Sequence, residues 1–268
     1  MDRTDADLRG VQLNEACLYT VYLYTVYLPA ILGYDANMTK HAPASLIYVA
    51  LGDSLAVGTG ASYKGYVNRY ADYLSTDTST RVSVINLGQD GQTSSQLLHG
   101  LRNDAHSRYA VSTASVITFN TGLNDLGHAG EAYENGTCGG ADNQDCLHAA
   151  VETLKENWDA IIAELLSLRS SSNTIIRTIG MGHTPKIFVD DAVTTWPSEG
   201  KIEDVRSLKP YVEEVNYHIA TTTADKDVPY VEIHLEKGQV NPDGVHPNDE
   251  GYQVIAEQLR ELGHSPLE

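Results

Sequence analysis

After Met38, short runs of β-branched and other apolar residues alternate with longer amphipathic stretches. This alternation is typical of βαβ units, in which helices join parallel strands and cover both faces of one sheet. Near-continuous apolar runs indicate strands that are buried on both faces. The sequence therefore predicts an α/β fold with a parallel sheet. Its five predicted strands are Leu46–Ala50, Val82–Leu87, Val116–Asn120, Thr174–Ile179 and Tyr230–Ile233.

Two helices have clear periodic patterns. The helix after Asp145 repeats apolar residues at alternating steps of four and three, which places them on one face. These residues are Leu147, Val151, Leu154, Trp158, Ile161, Leu165 and Leu168. A last helix runs from about Asn248, its candidate N-cap, to Leu262, and Gly263 ends it. Its residues predicted to face the sheet are Tyr252, Ile255, Leu259 and Leu262. Between Thr184 and Leu208 no period is evident, and Trp196-Pro197-Ser198-Glu199-Gly200 is predicted to be a loop.

The length and charge of the chain limit its domain number and its partners. With 268 residues, the chain can form one large domain or at most two small ones, and we expect one over residues 38–268. The formal net charge is −18. Such a surface repels a phosphate backbone, so nucleic acid is excluded as an expected partner. Oligomeric state is not predictable from the sequence.

Residues 1–37 form an extension whose role the sequence does not define. Its apolar segment, Cys17 to Leu32, contains Tyr-Thr-Val-Tyr-Leu twice and is short for a membrane span, which needs about 20 apolar residues. Acidic residues outnumber basic ones before this segment, unlike in an export signal. We therefore expect no stable membrane span. An upstream start codon explains the extension if the functional chain begins at Met38.

Two of the three cysteines, Cys138 and Cys146, flank a short polar loop. A local disulfide there is favoured and indicates an oxidising compartment, and two unpaired thiols in a cytosolic protein are the alternative. No CxxC spacing or histidine cluster accompanies them, so structural zinc is not expected.

Polar residues that directly follow the strands are the candidates for chemistry, because ligands of such sheets bind beyond the carboxyl ends of the strands. Gly52-Asp53-Ser54-Leu55 follows the first predicted strand and holds a serine on a turn. Strand-turn-helix junctions also favour Gly, Asp and Ser for capping alone. This tetrapeptide by itself is therefore a weak signal.

Two further blocks offer hydrogen-bond donors. Gly91 follows the second strand and lets a backbone N–H approach a ligand closely, and the Asn124 side chain, after the third strand, can donate to an oxygen that acquires negative charge. With the Ser54 N–H, these make three candidate donors. The alternatives are an ordinary turn glycine and an Asx turn.

Asp243 and His246 follow the fifth strand, three residues apart in one turn. A serine needs a base to take its proton, and the base needs a partner that fixes its tautomer and stabilises its imidazolium. His246 and Asp243 can supply these two roles. A surface histidine in a proline-flanked loop is the alternative.

The order of these blocks, each at the end of its own predicted strand, resembles the SGNH/GDSL hydrolase family from about Leu46 to Leu262. The resemblance implies a three-layer α/β/α sandwich with a flavodoxin-like five-stranded parallel sheet, and hydrolysis of carboxylic esters without a cofactor or metal. It assigns Ser54 as nucleophile, His246 as general base and then acid, and Asp243 as the residue that orients His246. The Ser54 and Gly91 N–H groups and the Asn124 side chain would form the oxyanion hole.

The resemblance also implies an ester substrate of small-molecule, lipid or carbohydrate type. The Cys138–Cys146 loop and the helix after it are similar to those of secreted bacterial members, which implies export. Residues 180–210, including His183, match no substrate motif of the family, so the natural ester stays open.

Two other functions compete with this interpretation. Asp104-x-His106, Gly52-Asp53 and Gly182-His183 each resemble a metal-binding fragment of metal-dependent phosphoesterases, but their order along the chain is wrong for such an enzyme. A carbohydrate- or lipid-binding relative that keeps the fold without catalysis is the second alternative. All the catalytic residue types are present, which disfavours it.

Overall fold

The five predicted strands form one sheet in a computed structural model, which describes residues 45–181 and 208–267. All neighbouring strands are parallel, in the order β2-β1-β3-β4-β5. Their bounds are β1 Ser45–Leu51, β2 Arg81–Asn86, β3 Val116–Phe119, β4 Ile175–Ile179 and β5 Tyr230–Val231. The largest difference from prediction is at β5, which ends at Val231 and not at Ile233.

Helices cover both faces of this sheet. Their bounds are α1 Ser54–Val57, α2 Tyr66–Asp77, α3 Ser94–Asn103, α4 Ala105–Thr113, α5 Leu123–Glu134, α6 Asp145–Leu168, α7 Lys209–Ala224 and α8 Asp249–Glu261. Successive residues of a strand point to opposite faces. Tyr48 and Ala50 of β1 accordingly join the core formed with α2 and α8, whereas Val49 and Leu51 join the core formed with α3 to α7. The predicted three-layer α/β/α sandwich is confirmed.

The edge strand β2 differs from the expectation that every strand is buried on both faces. Its residues are exposed or half-buried along its whole length. Only β1 pairs with it among the described strands, so its second edge does not pack against another strand. Arg81, Ser83 and Asn86 are the exposed positions.

The two predicted helices are observed as α6 and α8. Six of the seven residues predicted for the apolar face of α6 are buried, and Leu168 is partly buried. Asn248 caps α8 by accepting hydrogen bonds from the Glu250 and Gly251 N–H groups at 3.0 and 3.1 Å. The prediction that Leu262 faces the sheet was wrong: α8 ends at Glu261, and Leu262, its C-cap, is 38% exposed.

Cys138 and Cys146 are joined by a disulfide, as the sequence favours. Residues 1–37, the proposed start at Met38 and the predicted loop at 196–200 lie outside the described residues. None of the described helices combines the length and the apolar character that a membrane span requires.

Candidate active site

Ser54 is the first residue of α1 and directly follows the turn that leaves β1, at the carboxyl edge of the sheet. The chain turns there at Gly52, whose φ of 134° lies in the region that favours glycine. A Cβ at position 52 would lie 2.3 Å from Asn120 Oδ1, so a larger residue would displace the end of β3. β1 and β3 lie where the strand order reverses, the place where ligands bind in such sheets.

The structure brings three predicted residues together in one hydrogen-bonded chain. The Nε2 atom of His246 lies 3.0 Å from Ser54 Oγ, and its Nδ1 atom lies 2.7 Å from Asp243 Oδ2. Both distances are within the hydrogen-bond reach that a nucleophile, a base and its orienting group require. Ser54 and His246 are half-buried, and the side chain of Asp243 is 49% exposed.

Asp243 also shapes the turn that carries His246. Its Oδ1 atom accepts hydrogen bonds from the Val245 N–H at 2.9 Å and from the His246 N–H at 3.0 Å. Burial alone would raise the pKa of the Asp243 carboxyl, but the hydrogen bonds from the His246 side chain and from these two N–H groups lower it overall. Asp243 is therefore ionised at neutral pH and available to a protonated imidazole.

Asn241 closes this turn and ties it to the loop that follows Ser54. Its N–H donates to the His246 carbonyl at 2.8 Å, and its side-chain Nδ2 donates to the carbonyls of Pro247 at 2.9 Å and Gly60 at 3.1 Å. A Cβ at position 60 would lie 2.3 Å from Asn241 Nδ2, so this approach requires a glycine. The side-chain amide of Asn241 therefore connects the turn that carries His246 to the loop that follows Ser54.

A second carboxylate lies beneath Ser54. Asp53 is 5% exposed and accepts hydrogen bonds from the Leu55 N–H at 3.0 Å and from Asn120 Nδ2 at 2.6 Å. Burial raises the pKa of Asp53, and these hydrogen bonds and the nearby His246 oppose that rise. Asp53 caps α1 and fixes the Ser54 turn on the end of β3.

The three predicted oxyanion donors differ in their surroundings. Gly91 is exposed, with a φ of 72°. No described residue accepts a hydrogen bond from the N–H of Ser54 or of Gly91. Asn124 lies in the first turn of α5, where its Nδ2 donates to the Gln92 carbonyl at 3.0 Å and lies 3.5 Å from Asp53 Oδ2. Asn124 thus connects Gln92, next to Gly91, with the Asp53 carboxylate beneath Ser54.

Asp125 fixes the start of α5 and with it the position of Asn124. Its carboxylate accepts hydrogen bonds from the Ser94 N–H at 2.9 Å and from Ser94 Oγ at 2.6 Å, and Asn157 Nδ2 donates to Ser94 Oγ at 2.8 Å. Burial raises the pKa of Asp125, and the hydrogen bonds from Ser94 oppose that rise. These contacts join α3, α5 and α6 behind the site.

The fragments that resembled a metal site have other contacts. Asp104 caps α4, accepting hydrogen bonds from the Ser107 N–H and Oγ, both at 2.7 Å. Gly182 and His183 lie outside the described residues. Within residues 45–181 and 208–267, no group of three or more His, Cys, Asp or Glu is arranged to hold a metal ion.

Asn120 and Asn241 were not predicted as parts of this site. Asn120 was predicted only as the end of the third strand, and no role was predicted for Asn241. The sequence carries a signal for both residues, since polar residues that follow parallel strands lie at the same edge of the sheet as Ser54. Asn120 directly follows β3, and Asn241 lies in the turn at the carboxyl end of the sheet.

Comparison with known proteins is consistent with this geometry. The model of the GDSL-like Lipase/Acylhydrolase family matches residues 50–254. A spore germination lipase, LipC, from Bacillus licheniformis is 26% identical over 233 residues, which are 84% of this chain and 99% of that protein.

Solved structures give the same comparison in three dimensions. The lipase Lip_vut3 from a goat rumen metagenome has a TM-score of 0.68 and 26% identity, covering 83% of this chain and 100% of that one. Phospholipase A1 from Streptomyces albidoflavus has a TM-score of 0.54 and 22% identity, covering 81% and 99%. The second likeness shows the fold alone.

Proposed function

The chain belongs to the GDSL-like Lipase/Acylhydrolase family and is a carboxylic ester hydrolase, and we propose that it works through a covalent acyl-enzyme formed on Ser54. The single observation that carries the proposal is the chain of contacts from Ser54 Oγ to His246 Nε2 at 3.0 Å and from His246 Nδ1 to Asp243 Oδ2 at 2.7 Å. The substrate is an ester of small-molecule, lipid or carbohydrate type.

In the first half of the reaction, Ser54 Oγ attacks the ester carbonyl carbon while His246 Nε2 takes the hydroxyl proton. The carbonyl oxygen becomes an oxyanion that accepts hydrogen bonds from the Ser54 and Gly91 N–H groups and from Asn124. When the tetrahedral intermediate collapses, the bond to the alcohol oxygen breaks and His246 gives its proton to that oxygen. The free alcohol leaves, and the acyl group stays on Ser54.

Water then completes the cycle. His246 takes a proton from a water molecule, whose oxygen attacks the acyl carbonyl carbon, and the same three donors stabilise the second oxyanion. Its collapse breaks the bond to Ser54 Oγ, and His246 returns the proton to that oxygen. The carboxylic acid is released. Throughout, the ionised Asp243 holds the Nδ1 proton and stabilises the imidazolium, a role that its lowered pKa supports.

Ser54→Ala tests the proposal. The described contacts of Ser54 Oγ consist of its hydrogen bond to His246, so removing it should leave the melting temperature close to wild type. Turnover of p-nitrophenyl butanoate should fall nearly to background. Ser62→Ala is the matched control, since Ser62 lies on the same loop and its hydroxyl contacts Asp249 outside the proposed machinery.

A fluorophosphonate gives a second measurement. Intact-mass analysis should find one adduct on wild type and on Ser62→Ala, and none on Ser54→Ala. EDTA should leave turnover unchanged, which separates the proposal from a metal-dependent phosphoesterase. Retained turnover in folded Ser54→Ala would remove Ser54 as the nucleophile.

We also propose that residues 38–268 are the hydrolase domain and that the protein is exported. The Cys138–Cys146 disulfide supports export, because such bonds persist in oxidising compartments. Fractionation of the native host should find the protein, with this disulfide intact, outside the cytoplasm. A reduced pair in a cytoplasmic fraction would contradict export.

A further inference from the structure

Thr59 lies in the loop that follows α1, and its polar groups contact three different parts of the site. Its N–H donates to the Ser54 carbonyl at 3.0 Å, and its carbonyl accepts from Tyr252 Oη of α8 at 2.7 Å. Its hydroxyl donates to Asp90 Oδ1 at 2.5 Å. Thr59 therefore contacts the backbone of the proposed nucleophile, the helix that follows the histidine turn and the segment that carries Gly91.

The backbone of Thr59 is held by elements of the fold that lie outside the Gly91 segment. Tyr252 is fully buried and belongs to the core formed with α2 and α8. The Ser54 carbonyl lies in α1, at the carboxyl edge of the sheet. The carbonyl of the next residue, Gly60, accepts a hydrogen bond from Asn241. The Thr59 hydroxyl therefore starts from a position that α1, α8 and the histidine turn determine.

A turn of four residues, Gln89 to Gln92, carries the Gly91 N–H. The Gln92 N–H donates to the Gln89 carbonyl at 3.1 Å and closes the turn. At the start of the turn, the Gln89 N–H donates to the Gly52 carbonyl at 2.8 Å. At its end, the Gln92 carbonyl accepts from Asn124 Nδ2 at 3.0 Å. Both ends of the turn are therefore attached to the site.

The middle of the turn is not fixed by these contacts. A φ of 72° at Gly91, the third residue, is typical of a type II turn. Type I and type II turns differ by a rotation of about 180° of the central peptide, which here joins Asp90 to Gly91 and carries the Gly91 N–H. Both residues are exposed, and a Cβ at position 91 would meet no atom within 4 Å, so packing does not hold this peptide. Its rotation would reverse the direction of the Gly91 N–H without breaking a hydrogen bond at either end.

We propose, resting on the ester hydrolysis proposed above, that Thr59 is a positioning residue for the oxyanion donor Gly91. The Asp90 side chain precedes the central peptide, and among the described residues Thr59 is the one that donates a hydrogen bond to it. This contact restricts the rotation of the peptide. It also fixes the Gly91 N–H relative to Ser54, whose carbonyl binds the same threonine. A donor that is already in place stabilises the oxyanion without reorganisation during the reaction.

The charge of Asp90 has the opposite effect to its hydrogen bond. A carboxylate next to an oxyanion donor repels the negative charge that forms on the substrate. As the acceptor for Thr59, the same carboxylate holds the donor in place. An asparagine keeps the acceptor oxygen without the charge, so it separates the two effects.

Thr59→Val removes the hydroxyl and keeps the shape and the backbone contacts of the residue. We expect kcat for p-nitrophenyl butanoate to fall about tenfold with KM near wild type, because a displaced donor weakens only the transition state and costs less than the loss of about 10²–10³ from removing a donor. Thr59→Ser restores the hydroxyl and should recover most of kcat. Thr76→Val is the matched control, since this exposed hydroxyl donates to the Asp72 carbonyl at 2.8 Å on α2, and it should keep wild-type kcat. A loss that appeared in KM instead, or that Thr59→Ser did not recover, would contradict the proposed role.

Asp90→Ala removes the acceptor of the same hydrogen bond and tests the contact if Thr59→Val fails to fold. It should lower kcat as Thr59→Val does, and the double variant should lose no more than about tenfold, because both changes remove one interaction. Asp90→Asn should have a kcat about tenfold above that of Asp90→Ala, because it keeps an acceptor for the hydroxyl. Equal kcat in Asp90→Asn and Asp90→Ala, or losses that multiply in the double variant, would overturn the positioning contact.

The pH profile and Ser54→Ala separate the possible failures. The contact does not involve His246, so the pH at which kcat falls to half on the acid side should be the same in Thr59→Val and in wild type. A shifted profile would mean that the base is disturbed, and it would overturn a role confined to the Gly91 donor. Wild-type kcat in folded Thr59→Val, with Ser54→Ala inactive, would overturn the role of Thr59 and leave the proposed function intact. Turnover that persists in Ser54→Ala would overturn the proposed function itself.

Discussion

Replacing Asp243 by Asn tests which nitrogen of His246 carries the proton. The two oxygens of Asp243 have different partners: Oδ2 faces His246 Nδ1, and Oδ1 accepts from the Val245 and His246 N–H groups. An asparagine fits this turn with its carbonyl oxygen toward the two N–H groups and its NH₂ toward Nδ1. Its NH₂ then donates to Nδ1, so the imidazole proton moves to Nε2, which can no longer accept from Ser54.

The size of the loss follows from these contacts. Turning the amide over would exchange two backbone hydrogen bonds for one to the imidazole, at a net cost of about 1 kcal/mol. The imidazolium also loses a carboxylate charge, which at about 4 Å stabilises it by about 1 kcal/mol in water and about 4 kcal/mol near a protein surface. The side chain of Asp243 is 49% exposed, so its contribution lies between these limits. The sum of about 2–5 kcal/mol lowers kcat by about 30- to 5,000-fold.

The assay is kcat and KM for p-nitrophenyl butanoate, with the melting temperature of the same preparation. Asp243→Asn should keep a melting temperature near wild type, because the two backbone hydrogen bonds of the turn survive. Asp159→Asn is the matched control, since Asp159 pairs with His218 at 3.1 Å on the surface of α6, and it should keep wild-type kcat. A folded Asp243→Asn variant that retained more than a tenth of wild-type kcat would refute the assigned tautomer.

Three further variants test the rest of the site and one contact far from it. Asn124→Ala should lower kcat by about 10²–10³ with little change in KM if it stabilises an oxyanion, whereas a lower melting temperature at unchanged kcat would make it only a turn residue. Asn241→Ala should lower kcat about tenfold, since it loses two side-chain hydrogen bonds of about 0.5–1.5 kcal/mol each. The control Asn248→Ala removes the N-cap of α8 and should lower stability by about 1 kcal/mol at unchanged kcat. Equal kcat in the two variants would contradict a positioning role for Asn241. Hydrogen bonds from Arg260 and then His264 lower the pKa of Asp77 from 3.8 to about 2, so its stabilisation is complete above about pH 5 and is lost as the pH falls through 2. Asp77→Asn should accordingly lower the melting temperature by about 2–4 °C at pH 6 and by much less near pH 2, and a pH-independent difference would contradict this.

The strands and the order of the functional blocks were predictable because both depend on local sequence. β1 and β3 are near-continuous apolar runs, as expected of strands buried on both faces, and the isoleucines of β4 mark it as a strand although Arg177 and Thr178 interrupt the run. The histidine turn was predictable for the same reason, since Asp243 and His246 are three residues apart. The helix α2 was also within reach: its buried residues Tyr66, Val67, Tyr70, Ala71 and Leu74 recur with helical spacing, although no prediction used them.

Contacts between distant segments were not predictable from periodicity. Asn120 meets Asp53 across 67 residues of chain, and Asn241 meets Gly60 across 181. Each contact depends on the register of neighbouring strands and on a glycine that leaves room for the amide. The sequence contains the glycines but not the register, so Gly52 and Gly60 could be interpreted only as turn residues.

Two carboxylates, Asp53 and Asp243, lie near Ser54, and their residue type alone does not show which of them orients His246. Asp53 is adjacent to the nucleophile in sequence, but it is buried and its pKa is raised. Its Oδ1 atom accepts from the Leu55 N–H and from Asn120, and its Oδ2 atom lies 3.5 Å from Asn124 Nδ2. Asp243 is 189 positions away in sequence, but its lowered pKa and its 2.7 Å contact make it the carboxylate that faces the imidazole. A base for Ser54 must have a ring nitrogen free to accept, and only the second carboxylate holds the proton on the opposite nitrogen. Asp53 therefore shapes the turn, and in the proposed mechanism His246 transfers the protons while Asp243 orients its ring.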